Sequence, residues 1–271
     1  MTADGGEPPL EAQIDGDGAS VVCLHGLTAT RRYVLMGSRL LARGGFRVVA
    51  YDARGHGESG PPADRTAYEY EDLVADLERV LDACAIDRTV LVGGSMGAAT
   101  AMAFALRHPD RVAALVQITP AYPGYPLPAG AERAAWDALA DGLERDGVDG
   151  FMAAYRPGSD PRWAQRVLAF TRQRLERHRD PDAVAHALRI VPRSPAFDGL
   201  DALRTISAPS LIVATRDDTD PAHPVAVARA YAEHLPDVRL VVDEPGAAPL
   251  AWRGAQLSRA VQGFLREVGY S

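Results

Sequence analysis

Val90-Leu91-Val92-Gly93-Gly94-Ser95-Met96-Gly97-Ala98-Ala99 is an apolar, β-branched run that ends in G-x-S-x-G and passes into small residues and a helical pattern. It reads as a buried strand, a tight turn and a helix, the context in which G-x-S-x-G forms a nucleophile elbow. Gly93 and Gly97 keep Cβ atoms away from the crossing backbone in so tight a turn. Ser95 is thereby lifted above the strand end, with its Oγ directed away from the core. Met96 opens the helix, so its backbone N–H lies where a developing negative oxygen can be held. A glycine turn that only packs helix on sheet has the same spelling, so the surrounding chain must decide between the two.

Working outward, strands and helices alternate. Val21-Val22-Cys23-Leu24 is a short buried strand that runs into His25-Gly26-Leu27-Thr28. Residues 31–43 carry Val34, Leu35, Leu40 and Leu41 at helical spacing and stop at Gly44-Gly45. Residues 46–51 form the next strand, followed by Asp52-Ala53-Arg54-Gly55-His56-Gly57-Glu58-Ser59. Thr66 with Glu69 reads as a capping box ahead of a helix to about residue 85. Residues 112–118 are another buried strand. The alternation then breaks: residues 121–128 are rich in proline and glycine, and four helical patterns follow, at about 131–143, 148–155, 161–178 and 181–190. Asp160-Pro161 and Asp180-Pro181 each place a capping side chain before proline at the first helical position. Strand 210–214, helix 224–235, strand 239–242 and a final helix restore the rhythm. Short all-apolar strands alternating with helices imply an α/β fold, a mostly parallel sheet covered by helices on both faces. The expected division is a core of residues 1–120 and 198–271 with an inserted helical cap at 121–197.

The stretches Leu24-His25-Gly26-Leu27, Asp52 to Ser59 and Gly93 to Gly97 resemble, in order and spacing, the α/β-hydrolase superfamily, in its capped subgroup of esterases, lactonases, C–C hydrolases and haloperoxidases. The resemblance implies that Ser95 is the nucleophile and that Leu27 and Met96 supply the two oxyanion-hole N–H groups. It makes His56 part of a structural turn and His25 a brace for the oxyanion loop. The acid is expected just past the strand ending at Ala214, in Thr215-Arg216-Asp217-Asp218, with Asp218 in best register, Asp217 as fallback, and Asp220 further from the strand end.

The base departs from the pattern. The resemblance places a histidine in a P-G-x-G-H-x-P segment after strand 239–242, but Pro245-Gly246-Ala247-Ala248-Pro249-Leu250-Ala251 stands there. Pro249 has no side-chain nitrogen, and no histidine follows His234. Removing a triad histidine costs on the order of 10⁶ in turnover, while about 10³–10⁴ over water can persist from oxyanion hole and binding. His223, on the same loop as Asp218, is the first candidate to replace it. His25, His178 and His186 are the other candidates, and His108 and His234 read as helix C-terminal partners.

The bulk numbers narrow the partners. Over 271 residues the net charge is −7, which argues against nucleic acid. A local cluster, Arg172, Arg174, Arg177 and Arg179, reads as a solvated helix face. Cys23 and Cys84 form neither a disulfide framework nor a metal spacing. The first nine residues lack the pattern of a signal peptide and read as disordered, and no apolar run reaches the roughly 18–20 residues of a membrane span. A cytoplasmic protein acting on a small molecule, without metal or cofactor, is the expectation. The leading function is a serine hydrolase of a carboxylic ester or lactone. The alternatives are a non-catalytic small-molecule binder on the same fold, and proton-transfer or lyase chemistry at the oxyanion hole.

Overall fold

The computed structural model describes residues 7–271. Seven strands form one sheet: β1 (Ala12–Asp15), β2 (Ala19–Leu24), β3 (Phe46–Tyr51), β4 (Thr89–Gly94), β5 (Val112–Ile118), β6 (Ser210–Ala214) and β7 (Val238–Val242). Their order is β1-β3-β2-β4-β5-β6-β7, parallel throughout except for β1, which runs antiparallel to β3. Strand progression reverses between β2 and β4, paired in register Leu24 with Gly93. In open parallel sheets the crevice at the carboxyl ends of such a strand pair is the usual ligand site.

The helices are α1 (Leu40–Arg43), α2 (Tyr70–Ala83), α3 (Met96–Arg107), α4 (Ala131–Ala154), α5 (Pro161–Leu175), α6 (Pro181–Ile190), α7 (Val225–His234) and α8 (Gly254–Glu267). Side chains alternate across the strands, so one apolar core lies on each face. Val22, Leu24 and Leu91 pack with α2, α3 and α7. Val21, Cys23, Val90 and Val92 pack with Leu41 of α1 and with Leu257, Val261, Phe264 and Leu265 of α8. A third cluster, Ala140, Leu143, Phe151, Leu175, Val184, Ala185 and Leu188, belongs to α4–α6, inserted between β5 and β6. Leu27 touches both this cluster and the core under α2 and α3. No helix among the described residues is long and apolar enough to cross a membrane.

Several local expectations change. The helix foreseen at 31–43 is a 3₁₀ turn, Arg31–Tyr33, and the one-turn α1, because Met36 and Gly37 between them adopt positive φ. The cap of α2 is Glu69 with Asp72, three residues later than Thr66. The patterns at 131–143 and 148–155 join as α4 but fold back at Asp146–Gly147, where the backbone leaves the helical region. There Gly142 lies so near Gly150 that a Cβ on it would stand 2.5 Å from the Gly150 carbonyl oxygen. Asp160 and Asp180 do cap α5 and α6. Residues 1–6 of the foreseen disordered stretch lie outside the described residues, whereas Glu7 pairs with Arg54 and the Pro9 carbonyl accepts from Gly60 N–H.

Candidate active site

The elbow has the geometry that its spelling demands. Ser95 sits at φ 50°, ψ −113°, a left-handed conformation that a non-glycine residue holds only under restraint. The restraint is visible: Ser95 N–H donates to the Ile118 carbonyl at 3.1 Å, and its own carbonyl accepts from Ala98 and Ala99. A Cβ on Gly97 would lie 2.3 Å from the Leu24 carbonyl oxygen, and one on Gly93 2.3 Å from that of Gly97. Strand β2 and helix α3 therefore cross in backbone contact beneath the serine. Gly26 faces Ser95 directly, its Cβ position 3.2 Å from the serine Cβ. Ser95 is half-buried, and its Oγ makes no hydrogen bond among the described residues. The N–H groups of Leu27 and Met96 are likewise unengaged among the described residues. One follows Gly26 and the other follows Ser95, so both open at the elbow.

Three buried histidines support the Leu27 loop. His25 Nδ1 donates to the Gly26 carbonyl at 2.8 Å and its Nε2 accepts from Ala53 N–H at 2.9 Å. His178, beyond the end of α5, donates from Nε2 to the Thr28 carbonyl at 3.0 Å and accepts from Gly57 N–H at Nδ1. His56 donates from Nδ1 to the Arg54 carbonyl and lies between the other two rings, 5.2 and 5.5 Å away. Burial lowers the pKa of all three, that of His178 to about 4. His25 and His178 have both ring nitrogens engaged with backbone, so neither has one left to accept a proton from Ser95. Beneath them Asp52 accepts from Arg31 and Glu58 N–H and pairs with the Arg31 guanidinium.

The loop after β6 divides its carboxylates by task. Asp217 accepts from Val225 N–H at 2.7 Å and caps α7. Asp218 lies 3.3 Å from Arg216 Nε and is 38% exposed, and its carbonyl accepts from Asp160 N–H of the insertion. The carboxylate that meets His223 is Asp220, at 2.9 Å from Nδ1, and not Asp218. Asp220 reaches the ring because His223 follows it by three residues in a turn closed by His223 N–H on the Asp220 carbonyl. Burial would raise the Asp220 carboxyl, but His223 and Arg174 hold it below its ordinary range. His223 is the histidine whose Nδ1 is held by a carboxylate while Nε2 makes no hydrogen bond among the described residues. His234 bonds the Ala230 carbonyl in the last turn of α7, as expected of a helix end, whereas His108 instead pairs with Glu78 of α2.

Pro249 is buried and leads into a short 3₁₀ turn tied by Leu250 N–H to Asp243 at 2.9 Å. Trp163 of α5 packs edge-on against Trp252 of that turn. One residue escaped the sequence reading: Arg174 is not on a solvated face but turned inward, among Tyr33, Tyr155 and Asp220. Four arginines in eight residues carry no periodicity that would single it out.

A family model described as alpha/beta hydrolase fold matches residues 19–254. The provisionally named carbamate hydrolase RutD of Variovorax paradoxus is 29% identical over 275 residues, covering 96% of this chain and 97% of its own. A thermophilic esterase from Thermogutta terrifontis superposes with TM-score 0.80 at 26% identity, over 98% of this chain and 96% of its own. The enol-lactonase from Burkholderia xenovorans does so with TM-score 0.76 at 25% identity, over 95% and 96%.

Proposed function

Since this chain belongs to the alpha/beta hydrolase fold family, we propose that it is a serine hydrolase of carboxylic esters or lactones with a displaced base. The observation that carries the reading is the strained Ser95 elbow with two unengaged N–H groups beside it. Ser95 Oγ attacks the carbonyl, its proton passes to His223 Nε2, and Asp220 stabilises the resulting imidazolium. The N–H groups of Leu27 and Met96 hold the oxyanion, each worth about 10²–10³ in rate. The leaving oxygen takes the proton back, and water releases the acyl group by the same route. Residues 121–197 act as the cap, with Leu27 packed against both cap and core. Asp218 shapes the acid loop through Arg216 and Asp160.

Fluorophosphonate labelling read by intact mass tests this. Labelling within minutes is expected, absent in Ser95→Ala and slowed at least a hundredfold in His223→Gln. Asp220→Asn slows it more than Asp218→Asn. Labelling no faster than that of an ordinary surface serine sinks the hydrolase reading. Equal rates in His223→Gln and the parent place the base elsewhere.

Pro249 favours a second reading, in which the site binds a small molecule, or moves a proton on it, without acylating Ser95. A ligand whose affinity survives Ser95→Ala in an unlabelled protein distinguishes it.

A further inference from the structure

Arg174 lies on α5 with its Nε fully shielded from solvent and without a hydrogen-bond partner among the described residues. No described carboxylate oxygen lies within 4.0 Å of its guanidinium, although its neighbour Arg172 pairs with Asp149 at 2.7 Å. The one side-chain bond it makes is long, 3.4 Å from Nη2 to Thr171 Oγ1. Its Cζ sits 5.3 Å from the centroid of Phe170, whose ring meets Tyr33 edge-on. An arginine without an ionic partner, against aromatic rings, is an expensive arrangement for structure alone, because burying an unpaired charge is unfavourable.

Its surroundings give it a use. Tyr33 follows the oxyanion loop, and Tyr155 ends α4. Asp220 and His223 stand on the acid loop, and His178, four residues along from Arg174, holds the Thr28 carbonyl. Arg174 thus stands where the inserted helices meet both loops of the candidate site. Asp220 is within its field but accepts from His223 and makes no hydrogen bond to the guanidinium, whose Nε has no partner among the described residues and whose Nη2 has only the long bond to Thr171. Arg174 as a whole is half-buried, so part of the residue still meets solvent although its Nε does not.

We propose that Arg174 binds a carboxylate on the substrate, so that the preferred ester or lactone is that of a dicarboxylic or otherwise acidic compound. Guanidinium and carboxylate match as a two-point pair, and aromatic walls strengthen the attraction by excluding water. The proposal deepens the hydrolase reading and rests on it for the reaction, but not for the binding.

The test has two arms. The p-nitrophenyl monoester of glutarate is compared with the p-nitrophenyl ester of the same acid capped as its methyl ester. The parent is expected to favour the acidic substrate tenfold or more in kcat/KM, Arg174→Met to bring the ratio near one, and Arg174→Lys to restore part of it. Arg172→Gln, on the same helix, should keep the parent's ratio. Binding of glutarate and of neutral glutaramide to Ser95→Ala is measured by calorimetry, beside Ser95→Ala/Arg174→Met, with melting curves confirming that each variant is folded. Glutarate bound in preference to glutaramide only when Arg174 is present supports the proposal even if Ser95 is never labelled. A kcat/KM ratio near one in the parent, or a preference unchanged in folded Arg174→Met, overturns it while leaving the hydrolase reading intact. Equal affinity of Ser95→Ala for glutarate and glutaramide also overturns it.

Discussion

Replacing His178 by glutamine should remove a defined part of the protein's acid sensitivity. In the fold the ring must be neutral, since Nδ1 accepts from Gly57 N–H while Nε2 donates to the Thr28 carbonyl. Protonation would set an N–H against an N–H. Burial lowers the pKa from 6.5 to about 4, with the Thr28 bond and Asp52 opposing the shift. A shift of that size is worth roughly 3 kcal/mol at about 1.4 kcal/mol per unit. The sign follows from linkage: the unfolded chain binds the proton first. The contribution is therefore complete above pH 6.5 and is lost as the pH falls toward 4. Between pH 6 and 5 the unfolded chain binds somewhat less than one proton more than the folded one, a slope of about 1.2 kcal/mol per pH unit. Glutamine can accept from Gly57 and donate to Thr28 without titrating. Urea unfolding followed by tryptophan fluorescence at pH 7.5, 6.0 and 5.0 should show the parent losing about 1.2 kcal/mol more than His178→Gln over the last step. The parent is expected to be the more stable at pH 7.5, with the gap closing on acidification. Parallel pH profiles for the two proteins would refute the argument that this ring is buried neutral.

Other outcomes follow from the same structure. Asp76→Ala leaves Arg54 without the carboxylate that it meets through both Nε and Nη2, at 2.7 and 2.8 Å in a buried setting. A loss of about 3 kcal/mol is expected in urea unfolding, softened by Asp72 and Glu7 nearby. Gly97→Ala drives a Cβ into the Leu24 carbonyl and should lower the melting temperature sharply, whereas Gly263→Ala, in open space on α8, should stabilise by about 0.4–1 kcal/mol. The Cys23 thiol, pushed up to about 12 by burial, should resist thiol reagents until the protein is unfolded, as read by mass after brief labelling.

The parts legible in the sequence are those set by local chemistry. The elbow is spelled within five residues because backbone contact excludes Cβ atoms at Gly93 and Gly97. The sheet follows from β-branched runs, and α5 and α6 begin where aspartate precedes proline. That position 249 carries no side-chain nitrogen is read from the covalent structure of proline alone. The parts that were not legible depend on distant segments meeting. Nothing in the sequence near His25, His56 or His178 reveals that the three rings would lie together. Asp220 comes forward over Asp218 only because the turn to His223 brings it under the ring. Arg174 turns inward because α5 lies against the loops of another part of the chain. The helix expected at 31–43 breaks at Met36 and Gly37, and of the two only the glycine is a residue whose type signals positive φ.

The helices inserted between β5 and β6 also set a timetable for biosynthesis. Leu115 to Ile118 pair with Ser210 to Val213, so roughly ninety residues must be made after β5 before its neighbour exists. At about 5–20 residues per second this is a wait of roughly 5–20 s. Closing so long a loop costs about 4 kcal/mol in chain entropy before any pairing compensates it. Meanwhile β5, buried along its whole length in the finished protein, presents a bare apolar edge, the kind that pairs with other chains. The nascent chain is thus most vulnerable to aggregation while the ribosome is translating α4 to α6. Ser95 has by then long since emerged, but the loop that carries Asp220 and His223 has not, so the proposed reaction can begin only after β6 has been made.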